Sequence, residues 1–141
     1  MLALPYEDGS WDLVTCISVI EHLNWELNEA SWRTVTGNVF VERTRAALNE
    51  MCRVCKPGGL VYITSDVLVR EIEEKPEEPR VTTGYSLEEI KNVWFPVFDQ
   101  FNMEVIQPEP FDDEVLRESR NTGGEVPPGH KRPFSFLLRK R

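Results

Sequence analysis

The sequence predicts a layered α/β domain with a mostly parallel sheet that ends in an antiparallel pair of C-terminal strands. Two observations lead to this fold class. Short apolar runs that favour strands alternate with segments of helical periodicity, an order typical of parallel strands joined by helices. The last two strand-like runs have no helix between them, so we expect them to be antiparallel neighbours at one side of the sheet. The chain has 141 residues, which is enough for one domain or for part of one.

The N-terminal half of the chain is expected to contain two strands and one helix. The first strand is predicted over Trp11–Ile20, where β-branched residues occupy both faces, as in a central strand covered by helices on either side. Residues 24–38 show no clear period. An amphipathic helix is predicted over 43–55, and residues 56–59 (KPGG) end it, because proline disfavours helix at the preceding residue and glycine suits a helix end. A second buried strand follows over 60–65.

The C-terminal half begins with an acidic loop over 70–80, which contains five Glu and two Pro and is a candidate mobile lid. The pair Ser86 and Glu89 has the spacing of a capping box and opens a helix that extends to about Val97 or Phe98. A long Gly/Pro-rich loop over 107–132 then separates the last two predicted strands, which cover 102–107 and 133–139.

The charge of the chain excludes two classes of partner. Sixteen Lys and Arg against twenty-four Asp and Glu give a net charge of −8, a field that repels phosphate backbones and anionic headgroups alike. We therefore expect no nucleic-acid partner and no membrane partner, and no apolar run approaches the roughly 18 residues of a membrane span. Three cysteines, an odd number at low density, favour a reducing compartment, so the expected location is cytoplasmic.

Three sequence blocks carry a resemblance to a known family. They are Leu4–Val14 (LPYEDGSWDLV), Ile20–Leu23 (IEHL) and Arg53–Leu60 (RVCKPGGL). In this order and at this spacing they resemble the class I S-adenosylmethionine-dependent methyltransferases. The resemblance implies a partial Rossmann-like methyltransferase fold. Residues 1–141 would form a single partial domain that matches the fourth to seventh strands of the family.

The resemblance also implies S-adenosylmethionine as the cofactor. In the family, the first half of the domain carries a Gly-rich loop under the methionine moiety and an acidic residue on the ribose, and neither motif occurs in this sequence. Met1 and Leu2 follow directly after the position of the family's adenine-binding acidic residue, while Ser18 and Val19 match a wall of the cofactor cleft. These four residues are the expected cofactor contacts. Only one wall of the cleft is expected within the chain, so binding of cofactor by this chain alone is doubtful.

The catalytic residues implied by the resemblance are His22 and Glu21. His22 is the candidate base, since an unperturbed histidine titrates near pH 6.5 and can accept a proton from a methyl acceptor. The other interpretation is that Glu21 and His22 cap the following turn and orient the loop. No metal ligands are predicted: Cys52 and Cys55 have metal-site spacing, but they also lie at core spacing on the predicted helix and lack a second pair.

Two functions from different classes remain open. The first is methyl transfer from S-adenosylmethionine to an unknown small-molecule acceptor, with the cofactor half of the site supplied from elsewhere. The second is a non-catalytic remnant or binding module that has lost cofactor binding; a different nucleotide-binding α/β fragment is a third, weaker hypothesis. The expected macromolecular partner is a second copy or a complementary N-terminal half, because the first strand would otherwise be an open, apolar sheet edge.

Overall fold

The computed structural model describes residues 3–28, 31–68, 77–79, 83–106 and 131–141, with backbone alone at 27, 28 and 31–33. Met1 and Leu2, two of the predicted cofactor contacts, therefore lie outside the described residues. So do 70–76 and 80 of the predicted acidic loop and 107–130 of the predicted Gly/Pro-rich loop. The last strand begins at Lys131, so that loop ends two residues earlier than predicted.

The described part of the chain contains six strands and two main helical segments. The strands are β1 (Trp11–Ile17), β2 (Trp25–Asn28), β3 (Ser31–Thr34), β4 (Cys55–Leu68), β5 (Met103–Val105) and β6 (Lys131–Lys140). The helices are α1 (Gly37–Val54), then α2 (Leu87–Glu89) and α3 (Phe95–Gln100), which are joined by a π turn (Ile90–Trp94). A 3₁₀ turn (Ile20–Asn24) follows β1. In the described residues no helix is both long enough and apolar enough to cross a membrane.

The predicted α/β fold is confirmed, and the predicted parallel sheet is confirmed in part. The main sheet has the order β1-β4-β6-β5. β1 and β4 are parallel, whereas β6 runs antiparallel to both β4 and β5. The C-terminal antiparallel pair lies at one side of the described sheet, as expected. The strand order was not predicted: β6 lies between β4 and β5, so most of the described strand pairs are antiparallel.

The prediction that the first strand is central and covered on both faces is wrong for the described residues. β1 has one neighbour, β4, and forms an edge of the sheet. Its Cys16 is buried and Val14 packs on the core, whereas Leu13 and Ile17 on the opposite face are 54% and 60% exposed. The β-branched content of this run was read as burial on both faces, but only one face has a described layer of helices against it.

α1 begins earlier than predicted and ends at the expected KPGG segment. Thr36 accepts a hydrogen bond from the amide of Val39 and caps the helix. Within residues 24–38, for which the sequence shows no period, β2 and β3 pair as antiparallel strands before this cap. After α1, Gly58 has φ +81°, and a Cβ on Gly59 would approach Cys55 Sγ to 2.9 Å. Both positions near the start of β4 therefore favour glycine, Gly58 for its positive φ and Gly59 for lack of space.

The second helical segment opens at Ser86, where the predicted capping box is present in both directions. It continues to Gln100, two residues beyond the predicted end, and widens to a π turn over Ile90–Trp94. Pro96 follows directly, and its missing N–H removes one ordinary helical hydrogen bond. α1 and this segment pack on the same face of the sheet as part of one core cluster.

Trp94 lies at the centre of this core. Its ring is fully buried and contacts Tyr85, Phe98, Phe134 and Phe136 at centroid distances of 5.0 to 6.3 Å. These aromatic side chains pack against one another rather than around an open pocket. They therefore stabilise the fold, as expected for aromatics at core spacing.

Candidate functional site

The predicted site residues lie at the carboxyl end of β1. Because β1 and β4 are parallel, their carboxyl ends meet at one edge of the sheet, where α/β proteins commonly bind ligands. Ser18 follows β1 directly and has φ +49°, in the left-handed region that non-glycine residues seldom adopt. Its amide donates a hydrogen bond to Oγ1 of Thr64, 2.9 Å away. The strained backbone is thus held against β4.

Glu21 and His22 differ sharply in their surroundings. Glu21 is only 3% exposed, and Ser65 Oγ donates a hydrogen bond of 3.2 Å to its Oε2. His22 is exposed, and its amide donates to the carbonyl of Val19 at 3.0 Å. The buried carboxylate holds the turn against β4, while the imidazole is free to meet a solute. Glu21 is thus buried in a hydrogen bond to Ser65, and His22, the predicted base, is exposed.

Val19 completes the exposed part of the site. Its side chain is 48% exposed, next to the exposed Ser18. The structure thus brings four of the six predicted residues together on one short segment of chain: Ser18, Val19, Glu21 and His22. Whether these residues contact a cofactor stays a prediction.

Arg43 anchors the far end of the 3₁₀ turn and was not predicted. Its Nη1 donates to the carbonyls of Leu23 and Trp25 at 3.2 and 3.3 Å, and its Nη2 lies 2.7 Å from Oε2 of Glu26. No sequence pattern predicts this role for Arg43, because its partners, two main-chain carbonyls and the carboxylate of Glu26, lie 17 to 20 residues earlier in the chain. A single guanidinium therefore joins α1 to the start of β2.

A second arginine holds the segment before β1. Arg53 donates to the carbonyls of Leu4 and Tyr6, to Asp8 and to both oxygens of Glu50. Glu50 Oε2 also accepts from the amide of Leu4 at 2.7 Å. These hydrogen bonds lower the pKa of Glu50 to about 2 and raise the pKa of Arg53. The first sequence block of the resemblance is thus tied to the third.

The three cysteines lie in the core of the described structure. All are free and buried, and burial raises the pKa of each thiol, that of Cys52 to about 12. Lys140 Nζ donates to the carbonyls of Cys52 and Cys55, at 2.8 Å each, and so caps the end of α1. Across the described ranges, no group of three or more His, Cys, Asp or Glu side chains could hold a metal ion.

The described glycines do not form a cradle for S-adenosylmethionine. Such a cradle needs glycines between a strand and the helix that follows it, with room for ligand atoms. Gly58 and Gly59 instead lie near the start of β4, after α1, and the space beside Gly84 is filled by Lys131 and by atoms of β4. These three glycines therefore do not lie where such a cradle requires them. A separate groove of about 290 Å³ between α1 and α2 contains none of the predicted site residues.

Comparison with known proteins supports the sequence resemblance. A family model described as "Methyltransferase domain" matches residues 1–63. An uncharacterised protein of Methanocaldococcus jannaschii is 32% identical over 74 residues, which are 50% of this chain and 24% of that protein. The residues that the family model matches, 1–63, include β1, the Glu21–His22 turn, α1 and the first part of β4.

Solved structures show the same fold at low sequence identity. A geranyl diphosphate C-methyltransferase from Streptomyces coelicolor A3(2), solved with Mg²⁺, geranyl diphosphate and S-adenosyl-L-homocysteine, has a TM-score of 0.53 at 10% identity. A methyltransferase of Methanosarcina mazei has a TM-score of 0.52 at 13% identity, and the [4+2]-cyclase SpnF has 0.51 at 16%.

The matches cover 99% of this chain but only 51%, 63% and 53% of those three chains, respectively. This protein therefore spans about half to two thirds of the length of the solved structures that it matches. Its fold is similar to that of these Rossmann-like structures, and its sequence resemblance to the methyltransferase-domain family covers residues 1–63.

Proposed function

We propose that this protein takes part in methyl transfer from S-adenosylmethionine to a small-molecule acceptor, and that a complementary N-terminal half supplies the rest of the cofactor site. The observation that carries the proposal is the position of the Glu21–His22 turn. It lies at the carboxyl end of β1, and β1 is an edge strand. A ligand between β1 and a further strand would therefore meet Ser18, Val19 and His22.

The surface beside this turn supports the second part of the proposal. One face of β1 exposes apolar side chains without a described layer against them, and no described strand lies on the side of β1 opposite β4. Such an edge is a template for another strand. The solved relatives contain a further third to a half of chain that this sequence does not cover, which is enough for such a half. The exposed apolar residues at this surface are Tyr6, Trp11, Leu13, Ile17 and Val19.

In this proposal, the chain positions the methyl acceptor and accepts the proton that the acceptor loses. His22 is exposed at the end of the turn and would accept the proton that a hydroxyl, amine or carbon acid loses as it is methylated. Glu21 would hold the turn through Ser65 rather than contact the acceptor. A small molecule is favoured over nucleic acid as the acceptor because the net charge of −8 repels a phosphate backbone.

Thermal unfolding with and without S-adenosylhomocysteine tests the proposal. Two proteins are compared: the 141-residue chain, and the same chain extended by whatever sequence its gene encodes directly upstream in frame. We expect the ligand to raise the melting temperature of the extended protein alone. A ligand at about 100 times its dissociation constant adds about 2.7 kcal/mol to the stability of the native state.

Three other outcomes are distinguishable. A shift in the 141-residue chain would show that it binds without a second half, and would contradict that part of the proposal. Cooperative melting of both proteins without a shift would favour the alternative, a binding module that has lost its cofactor. If the ligand raises the melting temperature of the extended protein but His22→Ala leaves methyl transfer unchanged, the proposed cofactor stands and the proposed role of His22 is wrong.

A further inference from the structure

The hydroxyl of Tyr85 reaches the turn that carries His22. It donates a hydrogen bond to the carbonyl of Ile20 at 3.0 Å and lies 2.9 Å from Thr44 Oγ1. Since the tyrosine proton points to a carbonyl, the hydroxyl of Thr44 is the donor in the second contact. Tyr85 is 1% exposed, so water does not compete for either bond.

Tyr85 is itself fixed to the carboxyl end of β4. Its amide donates to the carbonyl of Asp66 at 2.9 Å, and its carbonyl accepts from the amide of Leu68 at 2.8 Å. Its ring stacks on Phe40 with a centroid distance of 5.0 Å and meets the edge of Trp94 at 5.0 Å. Main chain and ring are thus both held, and the hydroxyl has a defined position relative to β4.

The same turn has a second buried attachment to β4. Glu21 accepts from Ser65 Oγ one residue after the carbonyl that Tyr85 binds. The peptide between Ile20 and Glu21 is therefore attached on both sides, and His22 follows it directly. Small displacements of a reacting group can lower a rate by about 10²-fold, so these attachments bear on any proton transfer at His22.

We infer that Tyr85 is a positioning residue for His22, acting through the carbonyl of Ile20. This inference rests on the proposed function of the turn and adds to it a residue 63 positions away in the sequence. It does not require Tyr85 to contact the acceptor or the cofactor, which its burial prevents.

Tyr85→Phe tests the inference, because it removes the hydroxyl and keeps the ring in its stack. Thr44→Val is the matched control: it removes the neighbouring hydroxyl and leaves the bond from Tyr85 to Ile20. Amide hydrogen exchange at residues 20–24 is measured first, without cofactor, and melting temperatures identify any variant that fails to fold. We expect exchange in the turn to rise by about tenfold in Tyr85→Phe relative to β4, and to change less than about twofold in Thr44→Val.

Methyl transfer by the extended protein is the second measurement. We expect Tyr85→Phe to lower kcat by at least about tenfold while KM and the affinity for S-adenosylhomocysteine change less than about twofold. Unchanged exchange in the turn, or a faster turn with an unchanged kcat, would overturn the inference. Equal losses in Tyr85→Phe and Thr44→Val would also overturn it, since a general loss of packing would then explain both.

The two proposals fail in different ways. If the extended protein binds no S-adenosylhomocysteine, the proposed function is wrong, and the exchange measurement still decides whether Tyr85 holds the turn. If it binds the ligand and transfers methyl groups, kcat decides the role of Tyr85. Ser65→Ala, which removes the second attachment, is expected to reproduce the loss in kcat and serves if Tyr85→Phe does not fold.

Discussion

Arg53 and Glu50 form a bidentate ion pair on the last turns of α1, with N–O distances of 2.8 Å for both contacts. The two residues are three positions apart in the sequence, but Arg53 also contacts a distant segment. Its guanidinium donates hydrogen bonds to the main-chain carbonyls of Leu4 and Tyr6 and to the carboxylate of Asp8. The conformation of the segment before β1 therefore depends on hydrogen bonds from Arg53 at the C-terminal end of α1.

Glu50→Gln should weaken this attachment most at neutral pH. The pKa of Glu50 falls from its ordinary value near 4.5 to about 2, chiefly because Arg53 donates to the carboxylate. A pKa lowered by folding contributes stability that is complete above the unfolded value and is lost as the pH falls towards the folded value. We expect the difference in melting temperature between wild type and Glu50→Gln to be largest above about pH 5 and to shrink towards pH 2. Glu42→Gln, at an exposed position on the same helix, is the control.

Ser18→Val should destabilise the protein although the position is exposed. A β-branched side chain at a φ of +49° is strained, and the cost of the left-handed region is about 1–2 kcal/mol. Ser18→Asn is the control, because asparagine tolerates this region and should change stability by less than about 0.5 kcal/mol. Equal stability of the two variants in urea unfolding would contradict this account of the backbone at the site.

The cysteines should be unreactive in the folded protein. Burial raises the pKa of Cys16, Cys52 and Cys55 and so keeps the reactive thiolate scarce. We expect a disulfide reagent at pH 8 to label them at least about tenfold more slowly than a cysteine introduced at exposed position Glu42. All three should react quickly in denaturant. Fast labelling of the native protein would mean that the end of α1 opens readily.

Ile17→Lys should reduce self-association of the 141-residue chain. Ile17 is 60% exposed on the uncovered face of β1, and a lysine there places a charge on an open sheet edge. We expect a shift towards monomer in sedimentation velocity, with unfolding free energy changed by less than about 0.5 kcal/mol. Ile106→Lys, at an exposed apolar residue beyond β5, is the control and should leave association unchanged. Equal effects of both variants would show that general solubility, rather than the β1 surface, is responsible.

Local signals predicted several elements correctly because their causes lie within a few residues. The capping box at Ser86 depends on Glu89 three positions later, and the end of α1 depends on Pro57 and on glycines that follow it. The placement of Ser18, Val19, Glu21 and His22 on one segment also follows from the sequence, since they are neighbours along the chain. The family resemblance was carried by the same kind of short blocks.

The wrong predictions concern what packs against each strand or helix. The run Trp11–Ile20 has the composition of a strand, and composition cannot show whether one face or both will be covered. The first third of α1 was missed because its buried side chains, such as Phe40, pack on residues far away in sequence. The π turn at Ile90–Trp94 was also not predicted, because it depends on how the helix packs on the sheet before Pro96.

The sequence alone thus determined the α/β class, the antiparallel C-terminal pair, the C-terminal end of α1 and the position of the candidate site after the first strand. Each of these depends on periodicity, turn chemistry or capping over short distances. Only the tertiary structure decided that β6 lies between β4 and β5, and that Glu21 is buried against Ser65 while His22 is exposed. The hydrogen bonds of Tyr85 and Arg53 belong to this second group, because they join groups 41 to 65 residues apart through main-chain and side-chain atoms that leave no pattern in the sequence.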